Sequence, residues 1–199
     1  MSSSSSRAPL DAGFRNGGVS HWFAAAGRPE PGPRLPGPRD ADVCVVGAGY
    51  TGLWTAYYLK RARPGLRIVV LEREFAGFGA SGRNGGWVLG EPAGSRERYA
   101  AEHGRPAAIA LQRAMFRAVD EVVRVAAAEG IDAGLVKGGV LYVARNAAQR
   151  ARLAAMVEQA REWGWTDRDL VPLPAAERDD RLRVAGATGA AWKIGRAHV

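Results

Sequence analysis

Ala41-Asp42-Val43-Cys44-Val45-Val46-Gly47-Ala48-Gly49-Tyr50-Thr51-Gly52 is the stretch that decides the fold. Its first six residues form a β-rich run closed by glycine, the pattern of a buried parallel strand over 41–46. Within it, Cys44 is expected to be a buried, inert thiol. Gly47 to Gly52 spells G-x-G-x-x-G. In a strand-to-helix turn, the first glycine allows the tight turn and the second lets the backbone approach a pyrophosphate. The third lets helix and strand pack closely. Free N–H groups and the positive end of the helix dipole then face the phosphates.

Working outward, Leu53 to Ala62 is expected to be a helix, with Leu53, Ala56 and Tyr57 marking its faces, and Pro64-Gly65 breaks it. Leu66 to Leu71 reads as a second buried strand, so strand, helix and strand together have the size of one βαβ unit. The second strand runs into Glu72, 20 residues after Gly52. That is the spacing of a carboxylate that accepts hydrogen bonds from ribose hydroxyls. Its charge also repels a 2′-phosphate, which disfavours NADP. The alternative is a glycine-rich turn without ligand and a solvated Glu72; the ordered strand, turn, helix, strand and acid speak against it. The fingerprint alone does not separate FAD from NAD.

The next segment separates them further. Arg73-Glu74-Phe75-Ala76-Gly77-Phe78-Gly79-Ala80-Ser81-Gly82-Arg83-Asn84-Gly85-Gly86-Trp87 is longer and richer in glycine than an NAD domain requires. It offers backbone donors, a hydroxyl, a guanidinium and an amide close together. Arg83 can form charge-assisted bonds to a phosphate or an electron-rich ring. On chemistry alone, a mobile solvent loop remains the competing reading.

Elsewhere the chain is less specific. Ser2–Ser6 is a low-complexity run expected to be disordered. Val19–Ala26 is a short apolar stretch that can form a helical turn or two, followed by a proline- and glycine-rich arm to Arg39. Pro106–Glu129 is a strong amphipathic helix with Met115 and Phe116 as core residues, Gly139–Ala144 a strand, and Ala147–Trp163 a helix capped by Asn146. Val171–Val184 reads as loop. The net charge is +8, with 28 basic residues scattered among 20 acids. No block of like charge marks a nucleic-acid surface, and no apolar run reaches membrane-spanning length. One cysteine excludes an internal disulfide and, with an N-terminus lacking the order of a secretory signal, sets a cytoplasmic expectation. Three scattered histidines and one cysteine give no metal spacing. His103 is expected at the surface and His21 beside Trp22 in a structural role, so no catalytic residue is assigned.

Over Ala41 to Trp87 the sequence resembles the front of FAD-dependent oxidoreductases of the D-amino-acid oxidase superfamily. The upstream His-Trp-Phe segment and proline-rich arm look like its γ-glutamylputrescine oxidase-like branch. The resemblance implies an α/β fold: a Rossmann-like βαβ domain followed by the beginning of a mixed α+β substrate domain. It implies that Gly47, Ala48, Gly49, Tyr50, Thr51 and Gly52 bind the FAD pyrophosphate. Glu72 would take the adenosine ribose, with Arg73 near the adenine. Ser81, Gly82, Arg83, Asn84, Gly85 and Gly86 would run beside the pyrophosphate toward the isoalloxazine. The implied reaction is oxidation of a small-molecule amine or amino acid to an imine, with FAD reduced and oxygen the usual final acceptor.

The expected organisation is an N-terminal arm over 1–40, an FAD-binding part over 41–135 and the start of a substrate domain over 136–193. Residues 194–199, Ile-Gly-Arg-Ala-His-Val, match one reading frame of a common sequencing adapter. They are expected to be an artefact of a truncated gene model, and His198 carries no functional weight. An NAD-linked dehydrogenase or flavin reductase, and a non-catalytic truncated fragment, are the alternatives.

Overall fold

The computed structural model describes residues 20–194 and the backbone course of 196–198. The serine run Ser2–Ser6 lies outside the described residues. The chain forms two compact units, 1–85 and 86–199.

The first unit holds α1 (His21–Ala26), β1 (Val43–Val46), α2 (Tyr50–Ala62), β2 (Ile68–Leu71) and a 3₁₀ turn over Ala80–Gly82. β1 and β2 pair in parallel, from Val43 opposite Ile68 to Val46 opposite Leu71. Parallel neighbours need a crossover, and α2 supplies it, as the apolar runs on either side of Pro64-Gly65 predict. Asp42 and Arg67 pin the start of the pair: Arg67 donates its backbone N–H and a guanidinium N–H to the Asp42 carboxylate, both at 2.8 Å. That side-chain bond, helped by the backbone one, lowers the Asp42 pKa to about 2.

Only one face of this ladder is covered. Val43 and Val45 are half-buried, and Val45 lies beside Gly52 of α2, whereas Cys44 and Val46 on the opposite face are exposed. The expectation of a strand buried on both sides, with a buried Cys44, is therefore corrected. Successive residues of a strand point to opposite faces, and in a two-stranded sheet with one helix against it the other face is left open, 84% exposed at Val46. On α2 the half-buried positions include Gly52, Ala56 and Leu59, while Leu53 is turned outward.

The second unit holds β3 (Trp87–Leu89), α3 (Arg96–His103), α4 (Arg105–Ala128), β4 (Val140–Ala144), α5 (Ala147–Glu162), β5 (Leu170–Leu173), α6 (Ala175–Arg181), β6 (Gly189–Lys193) and β7 (Arg196–His198). Its main sheet has the order β4-β6-β5 and is antiparallel. Val157, Ala160, Leu170 and Ala191 form its core, with Leu153, Met156 and Trp165 packed against them. α4 buries Ala108, Val119, Val125 and Ala126 along one stripe, and Phe116 meets Trp165 edge-on at 5.1 Å between ring centres. Asn146 caps α5 by accepting from the Gln149 N–H at 2.9 Å.

One segment differs from expectation, and a second, α3, carried no structural reading. The stretch 171–184 contains β5 and α6 rather than loop. Pro172 is compatible with a strand because β5 is an outer strand of its sheet, where a missing N–H need not cost a ladder bond. The polar stretch around His103 is the helix α3, whose Ser95 side chain accepts from Arg98 N–H; His103 ends it, exposed. Residues 196–198 pair antiparallel with β3, Trp87 opposite His198. A ladder uses backbone groups only, so such pairing is open to any extended segment. No helix among the described residues is long and apolar enough to cross a membrane.

Candidate cofactor site

The turn leaving β1 has the geometry that its glycines predict. Gly47 has φ +98°, in the region that favours glycine, and its N–H donates to Leu71 O at 2.7 Å, tying the turn to the end of β2. A Cβ on Gly52 would run into the carbonyl oxygen of Gly47 and lie 3.2 Å from Val45 Cγ1. The third glycine is thus the contact that lets α2 lie against β1. Gly49 is the N-cap of α2 and brings no side-chain cap. The first amides of a helix have no acceptor within it, so this helix start presents backbone donors.

Glu72 points into that turn. Its Oε2 accepts from the Ala48 N–H at 2.9 Å, and its Oε1 from the Glu74 N–H at 3.1 Å. The bond from Ala48, then that from Glu74, holds the Glu72 pKa below its ordinary value. The group is therefore a carboxylate at neutral pH. A carboxylate has about four lone-pair sites, so capacity remains beside these two bonds. Arg73, by contrast, is largely exposed and lies 3.4 Å from the Glu74 carboxylate. Thr51 is exposed, and its carbonyl accepts from Thr55 Oγ1 at 2.7 Å.

The second glycine loop lies against the first. Gly77 N–H donates to Ala48 O at 2.9 Å. Ser81 Oγ accepts from the Tyr50 N–H at 3.0 Å, which places a hydroxyl from 31 residues away on the first turn of α2. Asn84 Nδ2 donates to Ser81 O at 2.8 Å and to Tyr50 Oη at 3.3 Å. Arg83 Nε donates to Gly79 O at 3.1 Å, its side chain exposed. Gly82 closes the 3₁₀ turn, Gly85 ends the first unit and Gly86 opens the second. Residues 47–52, Glu72 and 81–84 are thus brought together, with the Ala48 backbone as hub: its N–H serves Glu72 and its carbonyl serves Gly77.

Sequence reasoning missed Phe75 and the contacts that α1, expected as a helical turn or two, makes with the second glycine loop. Phe75 is 3% exposed and meets both Phe23 and Phe78 edge-on; its hydrophobicity next to the acid was the available signal. Among the described residues no group of three His, Cys, Asp or Glu could hold a metal ion.

Comparison with known proteins identifies the family. The model of the family described as "FAD dependent oxidoreductase" matches residues 42–198. The chain belongs to that family. It is 34% identical over 160 residues to gamma-glutamylputrescine oxidoreductase of Escherichia coli K12, covering 80% of this chain and 37% of that protein. The chain therefore spans little more than a third of that relative's length. Its fold resembles L-amino acid deaminase from Proteus vulgaris (TM-score 0.57, 21% identity, 84% of this chain and 40% of the other). It also resembles glycine oxidase from Bacillus cereus (TM-score 0.51, 22% identity, 80% and 41%). The expected Rossmann-like α/β class is that of these folds.

Proposed function

We propose that this chain is the FAD-holding front of an enzyme that oxidises a small amine or amino acid to an imine. The observation that carries the reading is the Glu72 carboxylate fixed on the Ala48 N–H at the mouth of a helix start whose N-cap is glycine. Gly47 to Gly52 would take the pyrophosphate, since backbone amides and the helix dipole favour negative charge there. Glu72 would use its remaining lone pairs for ribose hydroxyls, and its charge would exclude a 2′-phosphate. Arg73 would border the adenine. Ser81 to Gly86 would line the path from the pyrophosphate toward the flavin ring, with Arg83 supplying positive charge.

These residues fit FAD on the structure's own terms. Gly47, Gly49 and Gly52 leave the backbone of the turn open, the Ser81 hydroxyl stands at the helix start, and the acid is ionised and pre-oriented. When bound, FAD supplies the two-electron acceptor for the amine C–H. The protein's contribution from these residues is binding and orientation. Oxygen as final acceptor, the 41–135 and 136–193 division of labour, the adapter origin of 194–199 and a cytoplasmic address belong to the same proposal. The relative's name motivates a γ-glutamylated amine or related compound as first substrate to try.

Titration of the 199-residue chain with FAD and separately with NADH, followed by ligand fluorescence, tests the cofactor assignment. Saturable FAD binding is expected. NADH binding without FAD binding would move the chain to the dehydrogenase reading, and binding of neither to the inactive-fragment reading. A peroxide assay on amines with a longer gene product tests the reaction.

A further inference from the structure

The second glycine loop owes its shape to a segment that the cofactor assignment leaves unused. α1 and the residue before it pack against this loop. Ser20 Oγ donates to Gly82 O at 2.6 Å while also accepting from the Trp22 N–H as the helix cap. Trp22 Nε1 donates to Asn84 O at 2.8 Å. Phe23 meets the buried Phe75 edge-on at 5.3 Å, and Arg28 stacks its guanidinium 5.2 Å over the same ring. A Cβ on Gly82 would come within 3.3 Å of Phe23 Cζ.

We infer that residues 20–28 act as a clasp that positions the loop over residues 75–84, with Ser20 and Trp22 as positioning residues. The chemistry is directional. The carbonyls of Gly82 and Asn84 are held on the α1 side by side-chain donors. Ser81, immediately before Gly82, instead uses its hydroxyl to accept the Tyr50 N–H at the start of α2. A strand or helix would satisfy such carbonyls by its own ladder. This loop has only a single 3₁₀ turn, so the long-range donors take that part. Anchoring by Phe23 and Arg28 on Phe75 fixes the loop's entry, and the two hydrogen bonds fix its exit. The clasp's bearing on cofactor retention rests on the reading given under Proposed function; its bearing on loop order does not.

The test is amide hydrogen exchange on the 199-residue chain and on Ser20→Ala, Trp22→Phe and Phe23→Leu. Trp22→Phe keeps an aromatic ring and removes the indole N–H. Ser20→Thr serves as the conservative rescue. Exchange at Gly82, Arg83 and Tyr50 is expected to rise about fivefold per lost hydrogen bond, while amides of α5 and β4 stay unchanged and Ser20→Thr restores slow exchange. Unchanged exchange at those three amides in both Ser20→Ala and Trp22→Phe overturns the inference. So does a uniform rise across both units, which would mark general destabilisation. FAD titration of the unsubstituted chain is read separately: its failure would sink the cofactor assignment and leave the exchange result to decide the clasp.

Discussion

In the turn Gly47–Gly52 the first glycine has φ +98°, and the last lies against the carbonyl oxygen five residues back. In the loop Gly77–Gly82 the first has φ +81°, and the last again lies against the carbonyl oxygen five residues back. The two regions use one local device, and they differ in what supports it. The first sits between a strand and a thirteen-residue helix. The second sits in irregular chain and is held by Ala48 O, Tyr50 N–H, Ser20 and Trp22. Equal backbone geometry thus rests on regular structure in one place and on borrowed side chains in the other.

Substitution of the two closing glycines breaks or sharpens this comparison most strongly. In Gly52→Ala the new methyl meets the backbone of Gly47 and the side chain of Val45, and neither can yield without separating α2 from β1. A loss of about 3 kcal/mol is expected for the first unit, the upper end of overpacking costs. In Gly82→Ala the obstacle is the Gly77 carbonyl of a loop that can shift, together with a Phe23 ring edge. About 1 kcal/mol is expected. Denaturant unfolding followed by the amide signals of β1 and β2 measures both. Equal losses would show that the second turn is as rigidly framed as the first.

Gly49→Ala separates fold from ligand within the first turn. Its methyl would meet only Ser81 Oγ, at 3.1 Å, and a hydroxyl can rotate away. A cost of under about 1 kcal/mol to folding is expected, in line with substitutions that avoid named strain. FAD affinity should nevertheless fall more than about tenfold, because the methyl occupies the approach that the second glycine keeps open. Calorimetric titration beside a thermal melt reads both effects. Undiminished affinity would mean that the pyrophosphate does not approach the backbone at Gly49.

The same contrast explains what was legible in the sequence. The βαβ unit could be read because its parts are contiguous: an apolar run, three spaced glycines, a helix, a second run and an acid. Glu72 was locatable because the register of two parallel strands fixes which residue ends beside the turn. The Ser81 contact to α2 and the Ser20 and Trp22 contacts to the loop span 31 and 62 residues and follow no period. The exposed face of β1 was misread because Val-Cys-Val-Val is apolar on both sides, and composition does not say which side a helix covers. α3 was missed because Arg-Glu-Arg-Tyr-Ala-Ala-Glu-His lacks an apolar stripe; its Ser95 cap and the acid Glu97 in the first turn were the only local signs.

Glu72 gives the smallest and most diagnostic effect. Its folded pKa lies below its unfolded value because backbone N–H groups, Ala48 first, favour the charged form. The tie to the turn is therefore fully present above about pH 4.5 and is lost as pH falls through the lowered folded value. FAD affinity should be flat from pH 5 to 8 as far as this group is concerned, then decline in acid. Glu72→Gln keeps an oxygen for the Ala48 N–H but exchanges a charge-assisted bond for a neutral one, so affinity at pH 7 should fall about five- to tenfold. Its acid decline should lose the component belonging to position 72. Asp42 and Glu97, both lowered to about 2, titrate in acid too, so the Glu72 carboxyl carbon has to be followed by itself in NMR. A midpoint at or above the ordinary glutamate value would mean that the carboxylate is not gripped by the turn. The first glycine region would then present its amides without the acid that orients a ribose beside them.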